Sequence, residues 1–113
     1  MNHYLISFPS AAMVIPPGEF EDVGRDAHAV IQEAKDAGVY VFGGGIDEDV
    51  PPVLVDADAT VTDGTQASLT RLDGGFTVLK LPSRDAAVGW AAKIATACRC
   101  AQELRVFGYD PQS

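Results

Sequence analysis

The chain has 113 residues and carries 16 Asp and Glu against 8 Lys and Arg, a formal charge of −8 with both histidines neutral. One domain of ordinary globular composition is expected over 1–113, since 47% of residues are hydrophobic and 21% charged. No apolar run reaches the roughly 20 residues a bilayer span needs. Along the chain, His3–Phe8 is a short apolar run closed by Pro9, a first strand, and Ser10–Gly18 is a loop because Pro16-Pro17 forbids a helix interior. From about Glu19 to Ala37, Phe20, Val23, Ala27, Val30, Ile31 and Ala34 recur at three- and four-residue spacings, with Gly38 just beyond. That pattern predicts an amphipathic helix. Val39–Phe42 is a second strand ended by Gly43-Gly44-Gly45, and a polar loop follows. Val53–Val55 and Thr60–Thr62 flank Asp56-Ala57-Asp58 as a small hairpin, and Asp63-Gly64 is a turn. Gly75–Leu81 is the strongest strand, Arg84 to about Ala97 an Ala-rich helix presenting Ala87, Trp90, Ala91 and Ile94, and Glu103–Tyr109 a last strand.

The order is β-α-β, a hairpin excursion, then β-α-β. This is the α+β, ferredoxin-like arrangement with an extra hairpin between the second and third main strands. Phe76 and Val78 point one way along their strand and Leu79 and Leu81 the other; Val39 and Val41 are expected to oppose Tyr40 and Phe42 in the same manner. Two helices cover only one face of a four-stranded sheet, so the second apolar face calls for a partner sheet, most simply in a homodimer.

Charge and cysteine content narrow the partners. Residues 1–63 hold 12 acids and 2 bases, whereas 64–113 hold 4 acids and 6 bases scattered singly, which argues against nucleic acid as a partner. Neither a membrane partner nor a leader is expected, and the cytoplasm is the expected address. Cys98 and Cys100 are one residue apart and read as free thiols, and no pattern of His and Cys matches a zinc site, so neither a metal nor a cofactor is expected. Gly43-Gly44-Gly45 is read as a bulge or turn more readily than as an anion nest, because Ile46-Asp47-Glu48 follows where a phosphate loop needs Gly-Lys-Ser/Thr. Tyr4, Phe42, Phe76 and Trp90 are expected in the core.

Val61-Thr62-Asp63-Gly64 through Asp73-Gly74-Gly75-Phe76, followed by a strand and the helix around Asp85–Ala92, resembles the YCII-related family in its DGPF-domain branch. Tyr4–Phe8 and Ala37–Val41 with the glycines after it also fit, so the resemblance spans nearly the whole chain. It implies a ferredoxin-like fold that dimerises into an α/β barrel, in a superfamily that includes small acid-base enzymes using a His/Asp pair. The chain departs from the branch at Thr65 and Gln66, where Pro and Phe are usual, and at Ser68, Thr70 and Arg71, where an acid, a Lys and an acid are usual.

Arg25-Asp26-Ala27-His28 resembles the Arg-x-x-His of catalytic relatives, which makes His28 and Asp63 the candidate catalytic pair. The interval from His28 to Val39 is one residue shorter than in those relatives, a slip that turns a helical side chain by roughly 100°. His28 is therefore either a solvated surface residue or a general base. Asp63 is either a turn residue accepting local backbone N–H bonds or an acid, base or anchor in a cleft. Gly45, Asp63, Gly64 and Phe76 are the residues expected around a small organic ligand. Two functions stand: a ligand-binding or regulatory module, and an acid-base lyase or dehydrohalogenase-like enzyme.

Overall fold

A computed structural model describes residues 1–66 and 72–113; the departures at Ser68, Thr70 and Arg71 lie outside the described residues. The elements are β1 (Asn2–Phe8), a 3-10 turn (Ser10–Ala12), α1 (Phe20–Asp36), β2 (Tyr40–Gly45), β3 (Val53–Val55), β4 (Val61–Asp63), β5 (Gly75–Leu81), α2 (Arg84–Cys98) and β6 (Glu103–Val106). The four long strands form an antiparallel sheet in the order β2-β5-β1-β6, with β3 and β4 in a separate two-stranded ribbon. This is the ferredoxin-like fold, with the ribbon inserted between its second and third strands.

Alternation along β1 and β5 separates two faces. Tyr4 pairs with Leu79 and Ile6 with Thr77 on the helix side, where both helices press Ala34, Ala87, Ala91, Ile94 and Cys98 onto them. The alanines let α2 approach the sheet closely, and Leu79 and Leu81 fill the space they leave. The helices are tied to each other at their outer edges. Arg99 Nη1 lies 2.9 Å from Asp26 Oδ2, and Lys93 bonds Glu33 while standing 4.9 Å over the Trp90 ring. On the opposite face Leu5 pairs with Val78 and Ser7 with Phe76, and neither described helix packs there. No described helix is long and apolar enough to cross a membrane.

The sequence patterns differ from the structure in four places. Gly43-Gly44-Gly45 does not end β2: the glycines stay in the ladder opposite Thr77, Phe76 and Gly75, because pairing to β5 satisfies their backbone whatever their low strand propensity. The irregularity falls earlier, at Val41, between the Tyr40–Leu79 and Phe42–Val78 pairs. That bulge puts Tyr40 on the helix side and Phe42 on the uncovered side, so Phe42 is 66% exposed instead of in the core. Phe20, at the first turn of α1, is also exposed, and β6 ends at Val106 rather than Tyr109.

The ribbon stands apart from this body. Among the described residues it is not hydrogen-bonded to the main sheet, and its principal packing is between its own two strands. The radius of gyration, 15.9 Å, exceeds the roughly 13 Å of a compact domain of this length.

Candidate functional site

Helix α1 ends in a tight reversal that sets the site. Gly38, at φ +75°, allows Gly38 N–H to reach Lys35 O and Val39 N–H to reach Ala34 O, turning the chain from helix into β2. Tyr40 then enters the sheet beneath the last turns of α1, with Lys35 Nζ 5.2 Å over its ring. After Val41 and Phe42, the glycines at 43, 44 and 45 leave the end of β2 without side chains. The result is a cleft of about 410 Å³ between α1, the C-terminal turns of α2 and the β2–β5 edge.

Ala27, Val30, Ile31, Ile94 and Ala97 make the apolar wall, and His28, Lys35, Tyr40 and Thr77 bring polar groups to it. The volume falls within the roughly 300–1,000 Å³ of small-molecule sites. Gly43 is held close to its neighbour: a Cβ there would stand 3.0 Å from the Tyr40 hydroxyl oxygen and 3.3 Å from Phe76 O. Any side chain at 43 would therefore press on the tyrosine that floors the cleft. Cys98 also lines it; burial pushes its thiol above the usual range, with the neighbouring Cys100 adding to the rise and Arg99 opposing it. A thiol held neutral in this way is a poor nucleophile and serves as wall.

Two of the residues expected around a ligand, Gly45 at the end of β2 and Phe76 on β5, line this cleft, although the pairing with Ser7 puts the Phe76 side chain on the opposite face; the candidate catalytic residue His28 on α1 lines it too and is exposed. Asp63 and Gly64 do not line it. Asp63 is exposed at the end of β4, and its carboxylate accepts no hydrogen bond among the described residues. There Gly64, at φ +110°, donates its N–H to Pro52 O. Tyr40, Lys35 and Thr77 were not singled out by sequence reasoning. The signal that could have found them is the Gly38 helix stop, which places Lys35 one turn before Tyr40.

Among the described residues no group of three or more His, Cys, Asp or Glu side chains stands close enough to hold a metal ion. A second cleft, about 360 Å³, lies on the uncovered sheet face at the far end of β1 and β5, lined by His3, Val78, Lys80, Phe107 and Tyr109 among others.

No family profile matches the chain. No curated protein matches it in sequence. Among solved structures it is similar to 5-chloro-2-hydroxyhydroquinone dehydrochlorinase (TftG) of Burkholderia phenoliruptrix in complex with 2,5-dihydroxybenzoquinone, at 16% identity over 97% of each chain, with a TM-score of 0.47.

Proposed function

We propose that the chain is a self-associating module that binds a small organic molecule of modest polarity in the cleft between α1, α2 and the β2–β5 edge. The observation that carries this reading is the lining of that cleft: an apolar wall together with the exposed His28 and Lys35 and with Tyr40 and Thr77. Such a lining suits a ring or short chain bearing one or two oxygen substituents. The YCII-related, DGPF-type resemblance is compatible with this reading and rests on Asp63-Gly64 and Gly74-Gly75-Phe76.

Self-association is supported by the uncovered sheet face, where Leu5, Phe76 and Val78 are only half buried and Phe42 is exposed. The second reading, an acid-base lyase or dehydrohalogenase-like enzyme, is favoured by the position of His28 at the cleft. It lacks a carboxylate there, since Asp63 is outside the lining, and that tips the choice towards binding.

A metabolite screen by thermal shift tests the choice. A compound that raises the melting temperature should lose its effect in Ala27→Phe, which fills the cleft, and bind more weakly to His28→Leu. Binding undiminished in Ala27→Phe would move the site elsewhere. Asp63→Asn should leave affinity and stability unchanged. Turnover of a hit compound that disappears in Asp63→Asn, at constant melting temperature, would put the enzyme first.

A further inference from the structure

Each strand of the β3–β4 ribbon has three residues, paired Val53 to Asp63, Leu54 to Thr62 and Val55 to Val61. Its turn is closed by Asp56 N–H on Thr60 O, Ala59 N–H on Asp56 O and Thr60 N–H on Asp58 Oδ1, with Ala59 at φ 71°. A two-stranded ribbon of this size is at best marginally stable in water by itself. The pairing and the period of two put Val53, Val55 and Val61 on one side of it, with Asp63 beside Val53 at its open end, and the valines are 49%, 63% and 60% exposed. A ribbon whose valine side, edged by Asp63, has no described residues packed beneath it is built to lie on another surface.

We infer that the ribbon is an intermolecular arm whose valine side docks in the open-face cleft of a second copy of this chain. This rests on the self-association proposed above and names the element that directs it. Charge favours this occupant. Residues 46–66 contain six acids, Asp47, Glu48, Asp49, Asp56, Asp58 and Asp63, and no base. The cleft offers Lys80 and His3, cross-strand neighbours on β5 and β1, and Lys80 has no ion-pair partner among the described residues. Asp110 also lines the cleft, but its Oδ1 already accepts a hydrogen bond from Gln112 N–H in the C-terminal turn. Val78, Phe107 and Tyr109 supply apolar surface for the valines.

The placement of arm and cleft fits a twofold. The arm leaves the sheet where Gly45 pairs with Gly75, whereas the cleft lies where His3 pairs with Lys80. The two ends are about 17 Å apart along the strands. In its own chain the arm does not lie on the cleft. A twofold axis perpendicular to the strands exchanges the two ends, so each arm meets the other copy's cleft and both are satisfied in one closed pair.

Sedimentation velocity on the full chain tests this. The double variant Val55→Asp/Val61→Asp should raise the dimer dissociation constant by about tenfold or more. Its circular dichroism and melting behaviour should match those of the parent monomer, because both valines are exposed in the single chain. Lys80→Glu should weaken the dimer several-fold, and adding Asp56→Lys to it should restore most of the loss. A dimer unaffected by Val55→Asp/Val61→Asp, but broken by Val78→Asp, would overturn the arm and leave the sheet-face dimer standing. A parent chain that stays monomeric at high micromolar concentration would overturn both. Neither outcome bears on the ligand cleft, which is read by thermal shift.

Discussion

Gly74 shows how one residue can be fixed by its surroundings. Its φ is +81°, and a Cβ built on it would overlap Phe8 O and stand 2.8 Å from Ser10 N. Both atoms belong to backbone, which cannot swing away as a side chain could. Gly74→Ala should therefore cost about 1–3 kcal/mol by urea denaturation. Gly38 is also left-handed but has open space around it, and Gly38→Ala should cost only roughly 1 kcal/mol. Equal losses in the two variants would remove the packing argument. Cys98 gives a second residue-scale prediction through pH. Its thiol is raised by burial, so its contribution to stability is fully present below the ordinary thiol value near 8.5. As pH climbs towards the raised folded value, the unfolded chain releases the proton first and stability falls. Wild type should lose more stability than Cys98→Ala between about pH 7 and about pH 10; parallel profiles would argue against a buried thiol. At this scale the sequence was a partial guide. The Arg25-x-x-His28 spacing picked out an exposed residue that lines the cleft, whereas Asp63-Gly64 picked out a turn outside that lining. A local motif records that a turn exists, and says nothing about which distant helix will stand beside it.

The elements were read more surely than the residues because period and capping are local properties. Helix α2 is the clearest case: Ser83, extended at φ −155°, accepts Ala86 N–H at 3.1 Å, and Asp85 follows in the first turn. Ser83→Ala should destabilise the protein by about 1 kcal/mol, with Ser83→Asp restoring most of it; urea midpoints check both. At the other end Arg99 takes the left-handed position that glycine favours, and Cys100 N–H returns to Ala95 O. No glycine marks that stop, so only the loss of periodicity announced it. Glycine misled in β2. Three in a row read as punctuation, yet an edge strand needs only backbone to pair, and β5 supplied it. The bulge at Val41 left no trace in an alternating Val-Tyr-Val-Phe run, because register is fixed by the partner strand.

For the molecule as a whole, the same strand carries two different obligations. Leu79 has no exposed surface and sits in the core beneath both helices, while Val78, the next residue, faces away from them. Leu79→Asp should cost about 4 kcal/mol or more and leave little folded protein. Val78→Asp should give a folded chain with reduced self-association, seen as a cooperative melt and a monomer in sedimentation. Similar melting in both variants would contradict the two-faced sheet. Apolar alternation on both sides of the strand, with the β-α-β pattern on either side of the hairpin, made this architecture legible. The arm's isolation was not legible, since a hairpin pattern is the same whether or not it finds a body to pack on. The sheet order also governs how the chain is assembled in time. β1 is the first strand made, yet it lies between β5 and β6, with Leu5 opposite both Val78 and Arg105. Its partners therefore emerge from a ribosome only after β2, β3 and β4. Until then Tyr4, Leu5, Ile6 and Phe8 form an unpaired apolar strand, and pairings so distant in sequence close slowly. A stalled nascent chain ending before Glu103 should bind chaperone and yield to protease, whereas one with Val106 clear of the exit tunnel should resist.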